Sequence, residues 1–233
     1  MEEMNAPVKT HICVITYAED LSPEALLPLC TPLRRRKLSR LARTHGWESD
    51  AVRQSLAAEL AFLACRSLAD RAGERFPAEY SCAPGGRPVI EGGFMSLAHT
   101  PGTACAALST APVGIDIERR RSFSPRAVRR LLNDEERAEY AAAEDGEAFL
   151  LHAWTAKESA AKLTGEGLSG LGRFALSGRD AVITADGVRC KLFCEEVCLA
   201  SPGERARLAA AMQETALPLM TVLPYSAAAE LIR

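Results

Sequence analysis

No run of apolar residues in this 233-residue chain approaches the ~18 that a membrane-crossing helix needs, so a helical span is excluded. A basic excess is missing too. The 28 Lys and Arg face 30 Asp and Glu, a net charge of −2, which gives no strong attraction to nucleic acid or to an anionic membrane. Aromatic residues make up only 6%. None interrupts the dense basic run Arg34-Arg35-Arg36-Lys37, followed by Arg40 and Arg43, so that run lacks the stacking rings that single-stranded nucleic acid would use. The opening residues Met1-Glu2-Glu3-Met4 lack the basic flank and apolar centre of a secretory leader. Low-complexity linkers and close repeats are absent. A cytoplasmic protein is expected, with neither nucleic acid nor membrane as partner.

Cysteine, by contrast, is plentiful. The eight cysteines are scattered, and the chain is too long and core-rich to need a disulfide scaffold, so they read as reduced thiols. Cys190, Cys194 and Cys198 are four apart, not at the two-residue spacing of zinc ribbons. On a strand this even spacing puts all three on one face, as small apolar residues.

Two stretches carry the chemistry. In Gly114-Ile115-Asp116-Ile117-Glu118, the apolar Val113, Ile115 and Ile117 alternate with acids, the pattern of a half-buried strand. Asp116 and Glu118 then share one face, separated by roughly 6.6–6.8 Å of rise. Two carboxylates so held repel each other unless a cation lies between them. The second stretch, Trp154-Thr155-Ala156-Lys157-Glu158-Ser159, lies in a helix over 147–164 with a broad apolar stripe, ended by Gly165 and Gly167. Glu158 falls at the packed side or its margin, with Lys162 four residues on. Three oxygen ligands without His or Cys suit Mg²⁺, which keeps several waters and is completed by substrate phosphates. The plainer alternative is a solvent-facing Asp and Glu and a surface Lys–Glu pair worth roughly a few tenths of a kcal/mol.

Around these, a strand is expected over 10–18 and one or two helices over 22–43. A core helix over 51–72 would be capped by Asp50, and a Gly/Pro-rich loop covers 81–93. A strand over 103–110 is expected to form a hairpin with 113–118 through Ala111-Pro112. Ser124-Pro125 and Asn133 start two further helices. Strand-like runs follow at 173–176, 181–184 and 188–194, with an Asp186-Gly187 turn between the last two. An Ala-rich helix over 203–216 and a final strand over 219–223 complete the reading.

Together, Val113-Gly114-Ile115-Asp116-Ile117-Glu118, Trp154-Thr155-Ala156-Lys157-Glu158-Ser159, Lys162 and Gly165-Glu166-Gly167-Leu168 resemble, in order and spacing, the signature of the 4′-phosphopantetheinyl transferase family. The resemblance spans roughly residues 30–185. The length resembles the two-lobed type that activates synthetases of the surfactin class. The resemblance implies an α+β fold, a pseudo-dimer of two similar lobes, here 1–112 and 113–233, with the metal and catalytic motifs in the second. It also implies a monomer, with coenzyme A and an apo acyl- or peptidyl-carrier protein as partners.

The same resemblance implies roles for single residues. Asp116, Glu118 and Glu158 would hold Mg²⁺. Asp116, Lys157 and Glu158 would be catalytic, Lys157 by contacting a phosphate. Arg53, Arg87, His99, Lys162 and Lys37 would join Lys157 in binding coenzyme A, Arg53 at its 3′-phosphate. Arg87 stands where the family has the Lys of Gly-Lys-Pro, keeping the charge but changing the geometry. Around His99 the family's Asn and two Ser are replaced by Ser96, Ala98 and Thr100, so a hydroxyl that could bond the cofactor is lost. A phosphate on His99 would raise its pKa above the usual ~6.5. Arg126, Arg129 and Arg130 suit an acidic carrier protein, and equally a solvated face.

The implied reaction moves phosphopantetheine from coenzyme A to a carrier-protein Ser, leaving adenosine 3′,5′-bisphosphate. Glu158, or a water it orients, would take the Ser proton. Two alternatives stay open: a catalytically weak relative that binds coenzyme A or a carrier protein, and an Mg²⁺-dependent pyrophosphate-cleaving hydrolase.

Overall fold

The computed structural model describes residues 8–18, 21–84 and 86–233; the acidic start 1–4 and Gly85 of the Gly/Pro-rich loop lie outside them. Apolar and β-branched residues make β1 (Lys9–Thr16) a buried strand. After a short α1 (Pro23–Leu26), α2 (Pro32–His45) starts with Pro at its first position and the Thr31 side chain accepting from the Arg34 amide. The long α3 (Asp50–Arg71) follows, with Ser49 rather than Asp50 at its N-cap. The loop expected next contains a small hairpin of β2 (Ser81–Cys82) and β3 (Pro88–Val89), then come β4 (Phe94–Thr100) and β5 (Thr103–Ser109).

The second half begins with β6 (Val113–Arg119) and the short α4 (Pro125–Leu131). A capping box of Asn133 and Glu136 opens α5 (Asp134–Ala142). The long α6 (Gly146–Thr164) ends on Gly165, whose φ of 84° is the left-handed conformation a C-cap uses. Then come β7 (Ala175–Leu176), β8 (Ala181–Ile183), β9 (Arg189–Cys198), β10 (Arg205–Met212), β11 (Leu217–Pro224) and α7 (Tyr225–Ile232).

The strands form two main sheets, in the orders β11-β1-β5-β4 and β6-β10-β9-β8-β7. α3 packs on the outer face of the first with Cys13, Ile15 and Leu108, and α6 on the outer face of the second with Leu192 and Ala211. Between the sheets, Ile12, Val14 and Cys105 meet Ile115, Ile117 and Leu208. The fold is α+β, two helix-on-sheet lobes packed sheet to sheet.

Three expectations change. β5 does not form a hairpin with β6: it pairs with β1 and β4, while β6 pairs with β10. The chain crosses between sheets at Ala111-Pro112, where Pro has no amide to donate to a ladder. The Ala-rich 203–216 segment is largely strand β10, not helix, because it runs between β6 and β9. There Ala206, Leu208, Ala210 and Met212 fill the inter-sheet core, and this packing overrides a weak helix propensity. Finally, β11 leaves the second half to pair in parallel with β1. A division at 112/113 therefore omits a strand that the first lobe takes from the end of the chain.

Candidate active site

The close approach of α6 to β6 creates the site. Gly114 shares a face of β6 with Asp116 and Glu118. A Cβ at Gly114 would lie 2.0 Å from the Ser159 carbonyl oxygen and 2.5 Å from the Leu163 amide. Only glycine lets the helix lie so near. On that helix Trp154, Glu158 and Lys162 recur at a spacing of four, so they stack along one face above the strand acids.

Lys162 Nζ lies 2.8 Å from Asp116 Oδ1. Asp116 Oδ2 is buried without a hydrogen-bond partner. Glu158 faces the same carboxylate, and burial and then the Asp116 charge push its pKa up to about 7, while the Trp154 indole N–H opposes the shift. Burial works against the Lys162 charge, but Asp116 and Glu158 outweigh it and raise its pKa. These groups, with Leu97, Ala98, His99, Ile117 and Glu118, line a cavity of about 250 Å³.

Asp116 and Glu158 fit a hard divalent cation. The two carboxylates crowd each other, and a buried oxygen of Asp116 lacks a hydrogen-bond partner. Glu118 lines the same cavity, but both its oxygens are engaged by other groups: Oε1 accepts from Thr100 Oγ1 at 2.7 Å, and Oε2 lies 3.3 Å from Arg121 Nε. Among the described residues no three His, Cys, Asp or Glu side chains stand together as a ready metal cage. That includes the strand cysteines, of which Cys190 is buried and Cys198 exposed. The structure thus brings together two of the three expected carboxylates, and an ion on two carboxylates is the arrangement that substrate phosphates complete.

His99 joins this cavity to a second, basic one. Leu97 and His99 also line a cleft of about 350 Å³ with Arg34, Arg36, Lys37, Arg40, Tyr80, Gly86 and Pro88. Burial first, then Lys37 and Lys162, lowers the His99 pKa to about 4, so without a ligand it is neutral at pH 7. Its Nδ1 lies 3.0 Å from Gln54 Oε1. Burial and then Arg34 lower the Lys37 pKa. Each of these shifts favours the arrival of an anion.

The cleft is braced by Arg34. Its Nε donates to Glu59 Oε2 at 3.1 Å, and its other nitrogens donate to Ser55 Oγ and the Tyr80 hydroxyl. Thr31 fills the other Glu59 oxygen through both its amide and its hydroxyl. This network locks α2 onto α3. Sequence reading missed it, although an acid among Leu56, Leu60 and Leu63 on a core helix was the signal.

Three expected cofactor residues are not brought into these cavities. Lys157 is 0% exposed and turned the other way, donating to the Leu131 carbonyl at 2.7 Å and to Glu136. Its phosphate contact is therefore corrected to a buried ion pair. Arg53 pairs with Glu48 and Asp50 and lines a separate cavity beside Tyr17 and Arg119. Arg87 reaches across to the end of α6, donating to the Leu163 carbonyl at 3.3 Å.

On the far side of Trp154 opens a groove of about 730 Å³, lined by Ala127, Leu131 and Leu171 with Arg126, Arg130 and Arg173. Arg121 closes the corner, its guanidinium 4.7 Å from the Phe123 ring centroid and 4.8 Å from that of Trp154. Among the described residues no helix is long and apolar enough to cross a membrane.

Comparison with known proteins covers part of this site. The pattern of the 4′-phosphopantetheinyl transferase superfamily matches residues 112–211. A 4′-phosphopantetheinyl transferase psf-1 of Bacillus pumilus is 33% identical over 107 residues. That match covers 44% of this chain and 44% of the relative, so the chain aligns with less than half of its length. The holo-[acyl-carrier-protein] synthase of Thermotoga maritima is 17% identical, with a TM-score of 0.31 over 45% of this chain and 64% of its own, too low for a common fold to be read from it. The acids of β6, the Trp154–Ser159 helix and Gly165–Leu168 all lie in the stretch, residues 112–211, over which the chain is similar to the 4′-phosphopantetheinyl transferase superfamily.

Proposed function

We propose that this protein transfers the 4′-phosphopantetheine arm of coenzyme A to a serine of an apo carrier protein, releasing adenosine 3′,5′-bisphosphate. One observation carries the reading: a basic cleft, a cavity holding a carboxylate pair and an apolar groove run together, joined at His99 and at Trp154. A ligand with several phosphates at one end and a long neutral arm at the other matches that sequence of environments.

Arg36, Lys37 and Arg40 hold the nucleotide phosphates, and His99 takes up charge when a phosphate arrives beside it. Asp116 and Glu158 would hold Mg²⁺, which when bound offsets negative charge building on the pyrophosphate. Lys162 fixes the Asp116 carboxylate and lies within reach of the same phosphates. The carrier serine oxygen bonds to the β-phosphorus, the bond from that phosphorus to the bridging oxygen breaks, and the bisphosphate leaves with the electron pair. Glu158, directly or through an oriented water, accepts the serine proton. Arg126, Arg129 and Arg130 present exposed positive charge beside the groove mouth, suited to an acidic carrier.

Intact-protein mass spectrometry tests this. The chain is mixed with coenzyme A, Mg²⁺ and a panel of apo carrier proteins, with and without EDTA. A phosphopantetheine mass gain that disappears with EDTA is expected. Coenzyme A cleaved without any carrier gaining mass would replace transfer with hydrolysis, and coenzyme A bound but left intact would leave a binding module.

A further inference from the structure

Lys157 lies inside the most specific motif of the chain, yet its ammonium leaves a different face of α6 from the one that meets the acids, and is held by Leu131 and Glu136. We propose that Lys157 is a positioning residue which, paired with Glu136, sets the rotation of α6 so that the next residue, Glu158, faces Asp116. The inference rests on the transferase reading above.

Around Lys157 the same face of α6 carries Ala153, Ala160 and Ala161, all buried. Small apolar side chains pack without directional preference, and Gly114 permits close approach without dictating an angle. The ammonium is directional. It donates to the Leu131 carbonyl at the end of α4 and to Glu136 Oε2. The same Glu136 oxygen accepts from the Asn133 amide at 2.9 Å, and Oε1 accepts from the Leu176 amide at 2.8 Å. One buried ion pair thus fastens α4, the start of α5, β7 and α6 to one another. Successive helix residues project about 100° apart, so turning α6 enough to break this node swings Glu158 away from Asp116. It also shifts α4, one wall of the groove beside Trp154.

The test uses Glu136→Gln, Lys157→Met and the double variant. Each single change strands a buried charge and is expected to lower the thermal midpoint, whereas the double removes both charges and restores it. Two readouts are taken well below every midpoint: transfer kinetics, and Mn²⁺ affinity by electron paramagnetic resonance. All three variants, the stable double included, are expected to lose about tenfold or more in kcat, since small misplacements cost that much. KM for coenzyme A is expected to stay within about twofold, and Mn²⁺ to bind more weakly. A double variant with wild-type kcat overturns the proposal by showing a purely structural pair. So does a raised coenzyme A KM in Lys157→Met with normal behaviour in Glu136→Gln, because that is the pattern of a direct phosphate ligand. If the wild-type chain modifies no carrier, the transferase reading fails by itself and the Mn²⁺ arm decides. Affinity unchanged in the double, or absent from the wild type, then overturns the node.

Discussion

Glu59 on α3 and Asp116 beneath α6 are both buried carboxylates at the long helix of a lobe, and they are furnished differently. Both oxygens of Glu59 receive donors, from Thr31, Arg34 and Tyr80. Asp116 has Lys162 on one oxygen and nothing on the other, with Glu158 pressed against it. A buried polar group is ordinarily satisfied. The first network is complete as it stands, so it braces. The second leaves one buried carboxylate oxygen without a protein donor, which suits the cation proposed there. Exposure and residue type alone would not have separated them.

The comparison can be broken experimentally. The largest effect is expected at the incomplete site: Asp116→Ala and Glu158→Ala should each reduce transfer by roughly two to four orders of magnitude with the fold retained, checked by carrier mass gain and circular dichroism. Full turnover in either folded variant would remove the proposed cation site. At the complete network, Glu59→Ala should cost stability instead, about 3–5 kcal/mol because it strands a buried Arg34 charge, measured by denaturant unfolding.

His152 sharpens the contrast by pH. It is 8% exposed, and burial, then Arg207 and Arg179, lower its pKa to about 4. The unfolded chain titrates this group near 6.5 and so binds more protons between the two values. Stability should fall as pH drops from about 6.5 towards 4 and level off below, a loss on the order of 3 kcal/mol. His152→Gln should flatten that part of the curve, and an unaltered slope would assign it to other groups. Gly114→Ala drives a Cβ into helix backbone that cannot move aside cheaply. Overpacking of this kind costs at least about 1–3 kcal/mol, and Mn²⁺ affinity should weaken with it as α6 lifts off β6.

The sequence made local features legible and left long-range ones hidden. The β6 strand and α6 follow from periodicity and capping, and the face shared by Asp116 and Glu118 follows from the pleat. Lys157 was misplaced because motif spacing says which residues are present, not which way each points. The small residues Ala153, Ala160 and Ala161 around it mark a face with room for a buried stem. The Ala-rich reading of β10 as helix fails because Ala is the best helix former but by well under about 1 kcal/mol per residue, while a place between two strands under a close-packed helix demands small side chains. The β5–β6 hairpin failed because adjacency in sequence cannot show that Ala111-Pro112 carries the chain from one sheet to another. Nothing local marks Glu59 as the partner of Arg34.

The return of β11 to β1 also has a consequence for synthesis. Strands β6 to β10 are contiguous in the chain, and the second sheet needs no later segment. The first lobe begins at the N-terminus but lacks an edge strand, and its core lacks Ala228 and Ala229 of α7. On the ribosome the half that emerges first is therefore the half finished last. A tag, a truncation or a protease cut near residue 217 would act first on the lobe carrying the basic cleft, not on the neighbouring chain that carries the acids.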